Sequence, residues 1–325
     1  MTLYGKNLAI AAALAMASGA WAASGDLGGT FSSMGVGTRP MGMGGAFVAV
    51  ADDANASFEN PAGMAFFEKE SKFATFTHAN LFSLGQLSRD YLAYAQSDTG
   101  GFGAFGLSWN RFTANLDPET WTEDSFSYAG AKALSKGDGA KMALGWNLTY
   151  MRVESGFSES TDNLTVGGGT ASGYGIGVSL MIRLRPSLTL GIVANDVYSS
   201  LAWATGTLEI LPPTAKAGFA YRLTDQTLFS AEGRGQQASQ GFGPSSWHVG
   251  AEQWIFDGKQ LMWDVIRNLG VRGGYFQQMQ NGDAGQLSVG ATAKADEWQV
   301  DYAYQFGLSN NALGATHRFG IGVNF

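Results

Sequence analysis

The end of the chain, residues 298–325, alternates between apolar residues and small or polar ones. Every second position is apolar: Trp298, Val300, Tyr302, Tyr304 and Phe306, and then Phe319, Ile321, Val323 and Phe325. Because successive side chains of a β-strand point to opposite faces, this pattern predicts two strands that each have one apolar face. Large aromatic residues on that face are typical of a strand with lipid on one side and a polar lumen on the other.

The same alternation recurs upstream and predicts fourteen strands, an even number of the kind that bacterial outer-membrane barrels use. The predicted spans are 71–79, 88–98, 101–112, 122–135, 140–154, 170–183, 187–199, 213–223, 226–235, 245–256, 269–277, 286–294, 297–306 and 316–325. Short connections alternate with longer ones, as periplasmic turns alternate with external loops in such barrels. Residues 257–268 are the exception, and they predict either an amphipathic periplasmic helix or a further strand. The predicted fold class is all-β, a transmembrane antiparallel barrel.

Composition supports a membrane protein without membrane helices. Only 14% of the 325 residues are charged, whereas roughly a quarter is usual in soluble domains. After residue 22, no stretch supplies the about 20 apolar residues that a membrane helix needs, and the alternative is a closed barrel. The chain has no cysteine, which excludes a lipid-anchored lipoprotein and any cysteine-based metal or catalytic site. A net charge of −7 argues against nucleic acid as a partner.

Residues 1–22 have the pattern of a secretory signal peptide. Lys6 is followed by a short apolar core over 8–17 and a small-x-small cleavage site at 20–22. The apolar core is too short for an N-terminal membrane anchor. We therefore expect a cleaved signal peptide over 1–22, a segment over 23–70, and a barrel over 71–325 in the outer membrane of a Gram-negative bacterium.

Residues 26–70 do not alternate. The pattern predicts a short helix over 42–50 and a turn at Asp52 and Asp53. A second helical turn is expected to begin with Asn60 as its cap and Pro61 at its first position. The many small residues of this segment would let it approach another surface closely.

Three motifs of this segment resemble a known family. They are Gly-Met-Gly-Gly-Ala-Phe at 42–47, Ala-Asp-Asp-Ala at 51–54 and Asn-Pro-Ala-Gly-Met-Ala at 60–65. Together they resemble the N-terminal signature of the FadL superfamily of outer-membrane proteins, and most of all its PorV/PorQ branch. Stretches at 211–222, 249–254, 301–304 and 313–318 add to the likeness.

The resemblance implies a barrel of 14 strands with the N-terminal segment inside the lumen as a hatch. The residues expected to form the hatch are Gly44, Gly45, Asp52, Asp53, Asn60, Pro61, Ala62 and Gly63. FadL members import long-chain fatty acids or other hydrophobic compounds, whereas PorV members are barrel partners in type IX protein secretion. The terminal Phe325 resembles the signal by which the outer-membrane assembly machinery recognises barrels.

The predicted lumen is wide and polar. Fourteen tilted strands would close to a diameter of roughly 25–30 Å, so a plugged lumen is favoured over an open pore. The polar residues expected to face it are Lys216, Arg222, Glu232, Arg234, His248, Glu252, Arg272, Lys294, Asp301 and Arg318. Its arginines could bind a fatty-acid carboxylate through paired hydrogen bonds. Alternatively, they form internal ion pairs with the acids and the plug.

No motif predicts catalysis or a cofactor. Residues 101–106 match G-x-G-x-x-G but are predicted to lie in a strand and open no helix, so they predict a bend of the wall or the close approach of a plug rather than a nucleotide site. The three histidines lack metal-ligand spacing. Asp52, Asp53 and Glu59 could bind a cation, or could cap and hydrogen-bond within the hatch. We expect no catalytic residue, no metal and no cofactor.

Two functions follow as hypotheses. In the first, a hydrophobic small molecule docks above the hatch and passes when the region of residues 60–62 shifts. In the second, the barrel is a protein partner in secretion or surface attachment, and its apolar external loops at 201–203 and 208–211 bind the partner. An open diffusion porin is a third possibility, which the apparent plug disfavours.

Overall fold

The structure is a computed structural model that describes residues 35–325, except 99, 118, 136–140, 157–168, 239–240, 256–265, 280–284 and 309–313. The predicted signal peptide and most of residues 257–268 lie outside the described residues, and both stay predictions.

Fifteen strands account for most of the described chain, and fourteen of them are long. They are β1 (Lys72–Asn80), β2 (Leu87–Gln96), β3 (Ala104–Asn115), β4 (Thr120–Ala133), β5 (Lys141–Ser155), β6 (Gly169–Arg185), β7 (Leu188–Trp203), β8 (Leu208–Glu209), β9 (Thr214–Arg222), β10 (Thr227–Ala238), β11 (Gly241–Trp254), β12 (Asn268–Gln278), β13 (Gln286–Lys294), β14 (Trp298–Gly307) and β15 (Thr316–Asn324). The fourteen long strands match the fourteen predicted spans, with ends that differ by a few residues.

The long strands form a closed antiparallel barrel. Each pairs with the next, β7 pairs with β9, and β15 pairs back with β1. The closure runs in register from Phe73 opposite Asn324 to Asn80 opposite His317. Lys72 and Phe325 complete it with two backbone hydrogen bonds of 2.9 and 3.0 Å. The predicted fourteen-stranded barrel is therefore confirmed.

The antiparallel order gives the barrel two different ends. We call the end that carries Lys72, Phe325 and the short connections the short-turn end, and the opposite end the long-loop end. At the long-loop end, the predicted loop over 200–212 is partly wrong. β7 continues to Trp203 and folds back into β8, because Trp203 donates a hydrogen bond of 2.8 Å from Nε1 to Glu209 and its ring packs near that of Trp121.

Burial alternates along the strands, and large apolar side chains occupy the exposed face. Trp146, Val300 and Phe319 are each about half exposed. Aromatic rings also meet across strands on this face, as in the contact between Tyr150 and Tyr174. An apolar, aromatic exterior is what a wall in contact with lipid requires. Within the described ranges, none of the helices is long and apolar enough to cross a membrane.

Residues 35–67, here called the N-terminal segment, contain α1 (Thr38–Gly42), α2 (Ala56–Glu59) and a 3-10 helix (Pro61–Phe66). The predicted helix over 42–50 is wrong, because α1 ends at Gly42 and turns follow. Gly44 and Gly45 adopt φ of 66° and 81°, which an α-helix does not allow. The second prediction is confirmed, since Asn60 caps the 3-10 helix and Pro61 begins it.

The segment contacts buried wall residues all round the barrel. α1 lies against β12–β15, α2 against β2–β4, and the 3-10 helix against β3–β6. Cβ atoms added at Gly191 of β7 and Gly218 of β9 would collide with Val48. A chain that touches opposite walls of a closed ring lies within that ring.

Candidate functional site

The interface between the N-terminal segment and the wall depends on wall glycines. At eight positions, a Cβ atom would fall on or against the segment. We call these residues the glycine belt: Gly106, Gly145, Gly191, Gly218, Gly250, Gly274, Gly290 and Gly320. A Cβ at Gly191 would lie 2.2 Å from the carbonyl oxygen of Val48, and one at Gly250 would lie 2.4 Å from that of Met43. These distances are below van der Waals contact, so a larger residue would push the segment away.

Arg39 is the centre of the polar contacts made by the first half of the segment, residues 38–50. Its Nε and Nη2 each donate to a different oxygen of Glu252 at 2.8 Å, and Nη1 donates to Asp52 at 2.6 Å and Asp53 at 2.8 Å. Two parallel bonds to one carboxylate are among the strongest hydrogen bonds in proteins. Burial lowers the pKa of Arg39, but the Asp52, Glu252 and Asp53 carboxylates outweigh it and raise that pKa well above its ordinary value. The guanidinium therefore stays charged.

A second buried arginine extends this network along the wall. Arg272 donates from Nε to Glu252 at 2.8 Å and from Nη1 to Asp301 at 3.1 Å. Glu252 thus binds one arginine of the segment and one of the wall. Four acids, Asp52, Asp53, Glu252 and Asp301, meet the two arginines at this point, and the strands β11, β12 and β14 are tied to α1.

The turn at residues 44–48 is bound through its backbone by side chains of β10 and β11. Glu232 Oε2 accepts from the N–H groups of Phe47 and Val48 at 3.0 and 2.9 Å. Three carbonyl oxygens accept from the wall: Gly44 from His248 Nδ1 at 2.6 Å, Gly45 from Arg234 Nη2 at 2.8 Å, and Ala46 from Ser230 Oγ at 2.7 Å. Because a carbonyl oxygen only accepts, Nδ1 of His248 carries the proton. We call this set the turn clamp.

The second half of the segment, residues 51–66, has fewer polar contacts with the wall. Glu59 forms a buried ion pair of 2.9 Å with Lys216. Asn60 Nδ2 donates to the carbonyl oxygen of Val48 at 2.7 Å, which joins the two halves. The N–H of Ala62 lies 3.1 Å from both Asn60 Oδ1 and Ser179 Oγ.

The rest of this half packs on a wall of small apolar residues. We call this contact the Ala/Met seam; its buried residues are Ala51, Ala56, Ala62 and Met64 of the segment, and Ala95, Ala104, Ala129, Ala131, Ala143 and Met181 of β2–β6. Every buried residue of the seam is alanine or methionine, and the partly buried Phe66 and Phe67 pack against it. The close approach predicted at residues 101–106 is found at Gly106, where a Cβ would meet Ser57 and Met64.

Most predicted site residues come together at this interface. The predicted hatch residues are buried or half-buried, and Gly63 packs within the segment against Ala51. Of the predicted lumen residues, Lys216, Arg234 and Arg272 form ion pairs with acids. Arg222 lies at the margin, since it is half-exposed and 3.8 Å from Asp52.

Arg318 is different from the other lumen bases. Its side chain is buried, and Nε donates to Gln305 at 3.0 Å. Among the residues that the structure describes, Nη1 has no hydrogen-bond partner and no carboxylate lies within ion-pair distance. It stands near the long-loop end, where Leu81, Leu87 and Phe112 form an apolar cluster.

The structure separates the acids that could have bound a cation together. Asp52 and Asp53 face Arg39, whereas Glu59 faces Lys216. Over the described ranges, no group of three histidine or acidic side chains has the arrangement of a metal site. At the short-turn end, a polar cavity of about 300 Å³ lies beside Arg39, Asp52 and Lys294.

Sequence reasoning missed Arg39 and most of the glycine belt. Arg39 is the one basic residue in residues 35–67, and that isolation was the available signal. The belt could have been found as glycines that recur on the polar face of successive strands.

No protein-family model and no curated protein matches the sequence. Solved structures do. The CymD monoaromatic hydrocarbon channel is similar with a TM-score of 0.57 and 14% identity over 90% of this chain and 97% of that one. The Ralstonia pickettii toluene transporter TbuX has a TM-score of 0.58 and 13% identity over 90% of this chain and 99% of that one. A Pseudomonas aeruginosa FadL homologue has a TM-score of 0.52 and 13% identity over 89% of this chain and 98% of that one. The chain therefore has the fold shared by this hydrocarbon channel, this toluene transporter and this FadL homologue.

Proposed function

We propose that this protein is an outer-membrane channel that binds hydrophobic small molecules and passes them across the membrane. The observation that carries the proposal is a closed barrel with an apolar exterior, whose lumen holds a segment attached by a limited set of side chains. The structural neighbours include a hydrocarbon channel and a toluene transporter. Such a segment prevents leakage and still allows passage if part of it moves.

In the proposed route, the molecule enters at the long-loop end and docks above the N-terminal segment, which acts as the hatch. It moves on when the region of Asn60, Pro61 and Ala62 shifts. Asn60 suits this role because its side chain holds both the 3-10 helix and the turn at Val48. We further propose export through a signal peptide over 1–22 and recognition of Phe325 by the assembly machinery of a Gram-negative outer membrane.

The substrate class that we favour is fatty-acid-like. Arg318 has hydrogen-bonding capacity to spare beside an apolar cluster at the long-loop end, and a guanidinium binds a carboxylate well. Neutral hydrocarbons are the substrates named for the structural neighbours, and they would need no such arginine.

The alternative is a PorV-like role as a protein partner in secretion or surface attachment. One observation favours it: Leu208 and Ile210 are 64% and 68% exposed beside β8 at the long-loop end. A substitution at Trp203 would also disturb the fold, because its ring packs beside that of Trp121 and its Nε1 donates to Glu209. Replacing Ile210 with aspartate changes an exposed side chain and should abolish complex formation if this role is right.

Gentle extraction from the native outer membrane, followed by mass spectrometry of what co-elutes, tests the proposal. We expect a hydrophobic small molecule in stoichiometric amount. A stoichiometric secretion component without such a molecule would contradict the transport function and favour the alternative.

A further inference from the structure

The two halves of the N-terminal segment are attached to the wall by different chemistry. The first half, residues 38–50, is held by buried ion pairs and hydrogen bonds in addition to an apolar cluster with Val193, Ala220 and Leu228, whereas the second half meets β2–β6 mainly through the Ala/Met seam. We infer that the hydrophobic molecule crosses the segment along the Ala/Met seam while the first half stays fixed. This inference rests on the proposed function and specifies its path.

The first half is the fixed part because moving it would break many polar contacts at once. Arg39 would leave Glu252, the turn clamp would lose its backbone partners, and Thr38 would leave Thr77, whose Oγ1 lies 3.1 Å from its own. A buried charge that loses its partner is strongly destabilising. A hydrophobic molecule could not replace any of these partners.

The second half can separate from the wall at the seam without breaking any ion pair between described residues of the segment and β2–β6. Glu59 forms its ion pair with Lys216 of β9, which is not one of the strands β2–β6 that form the seam. On the seam side, the polar contacts among the described residues are to Ser179 Oγ, to the carbonyl oxygen of Leu180 at 3.4 Å, and from the Arg183 guanidinium to the face of the Phe66 ring at 4.6 Å. The pair of Glu59 with Lys216 can therefore act as a pivot while the seam opens.

The seam also suits the molecule that passes. Alanine offers no branches that interlock with a neighbour, and methionine is unbranched and adapts its shape to what it contacts. Met64 of the segment and Met181 of β6 both belong to this cluster. A hydrocarbon chain or ring inserted here would replace apolar contacts with apolar contacts, so the path selects the apolar part of a substrate.

Engineered disulfides can lock either half, because the chain has no cysteine of its own. For the second half, Ser57→Cys with Gly106→Cys joins α2 to β3, where a Cβ at Gly106 would lie 2.6 Å from Ser57 Cβ. For the first half, the matched control is Gly42→Cys with Ala303→Cys, where a Cβ at Gly42 would lie 3.6 Å from Ala303 Cβ. Disulfides have Cβ atoms about 3.5–4.5 Å apart, so the first pair needs a small outward shift.

The measurement is uptake of radiolabelled oleate and toluene by cells that contain each variant, oxidised and then reduced. We expect the oxidised Ser57–Gly106 pair to lower uptake to the level of cells without the protein. Reduction should raise it to the level of Gly106→Ala, which adds the same Cβ without the lock. The oxidised Gly42–Ala303 pair should leave uptake unchanged. Inhibition by the control lock, or none by the Ser57–Gly106 lock, would overturn the inference.

A second pair of variants does not depend on disulfide formation. Met64→Ala widens the seam, whereas Met43→Ala removes an equally buried methionine from the first half. We expect faster uptake for Met64→Ala alone, and a misfolded protein cannot give that gain. Equal rates for the two variants would contradict the path. If the unmodified protein itself takes up neither probe, the proposed function fails, which is a separate result.

Discussion

Arg39 and Glu252 form a two-point contact, 2.8 Å at each oxygen, between residues 213 positions apart in sequence. One belongs to the N-terminal segment and the other to the barrel wall. Since Arg39 also binds the two aspartates that follow in the segment, this single side chain sets both the internal shape of the segment and its position in the barrel. The position of the N-terminal segment in the barrel therefore depends on Arg39.

Arg39→Met should loosen the segment. The change leaves Glu252 and two aspartates without their shared cation, and breaking a buried pair in this way costs about 3–5 kcal/mol. We expect larger ion conductance in planar bilayers and faster proteolysis of residues 35–67. Arg267→Met is the control, because its pair with Asp296 is exposed and such pairs contribute about 0–1 kcal/mol. Identical conductance of the two variants would show that Arg39 does not hold the segment.

The glycine belt predicts a contrast between two neighbouring residues. A Cβ at Gly274 would lie 2.2 Å from the N–H nitrogen of Gly44, whereas a Cβ at Gly273 would meet nothing within 4 Å. Overpacking of this kind costs about 1–3 kcal/mol. Gly274→Ala should therefore lower the free energy of unfolding in urea and raise conductance, and Gly273→Ala should do neither. Equal stability of both variants would mean that the segment accommodates the added methyl group.

Two substitutions of Asn60 separate its two bonds. Asn60→Asp keeps an oxygen that accepts from Ala62 but loses the donor to Val48, and Asn60→Ala loses both. Removal of a cap costs about 0.5–2 kcal/mol in Asn60→Ala. Asn60→Asp keeps the cap but turns a buried carboxylate towards the carbonyl oxygen of Val48, so it should lose stability for a different reason. If the link to Val48 controls passage, both variants should change oleate uptake. Uptake altered in Asn60→Ala alone would reduce Asn60 to a stabilising cap.

The sequence predicted the barrel wall better than its contents, for a physical reason. A strand with lipid on one face and a lumen on the other must alternate, so strands such as β13 and β14 can be located from local pattern alone. The segment inside contacts wall on all sides and has no exposed face to create a period. Its helix was therefore misplaced at 42–50, where Gly44 and Gly45 form a turn that the clamp on β10 and β11 stabilises.

The sequence also could not predict which residues form long-range ion pairs. The lumen bases could be placed on the inward face by period two, but which acid each would meet depends on the registers and on the segment. Thus Lys216 pairs with Glu59 of the segment, while Arg234 pairs with Glu232 on its own strand. Both predicted alternatives therefore occur, at different residues. Lys216, Arg234 and Arg272 form internal ion pairs, whereas Arg318 keeps a nitrogen that could bind a carboxylate.

Arg318 should distinguish substrates that carry a carboxylate from those that do not. Hydrogen bonds to charged groups contribute about 1.5–3 kcal/mol, so Arg318→Met should weaken binding and uptake of oleate by a corresponding factor and leave toluene uptake unchanged. Arg152→Met on the exposed face of β5 is the control for loss of a positive charge. The measurement is competition between the two radiolabelled probes in the same cells. A parallel fall in oleate and toluene uptake would assign Arg318 to barrel stability, because a structural defect does not discriminate between the two substrates.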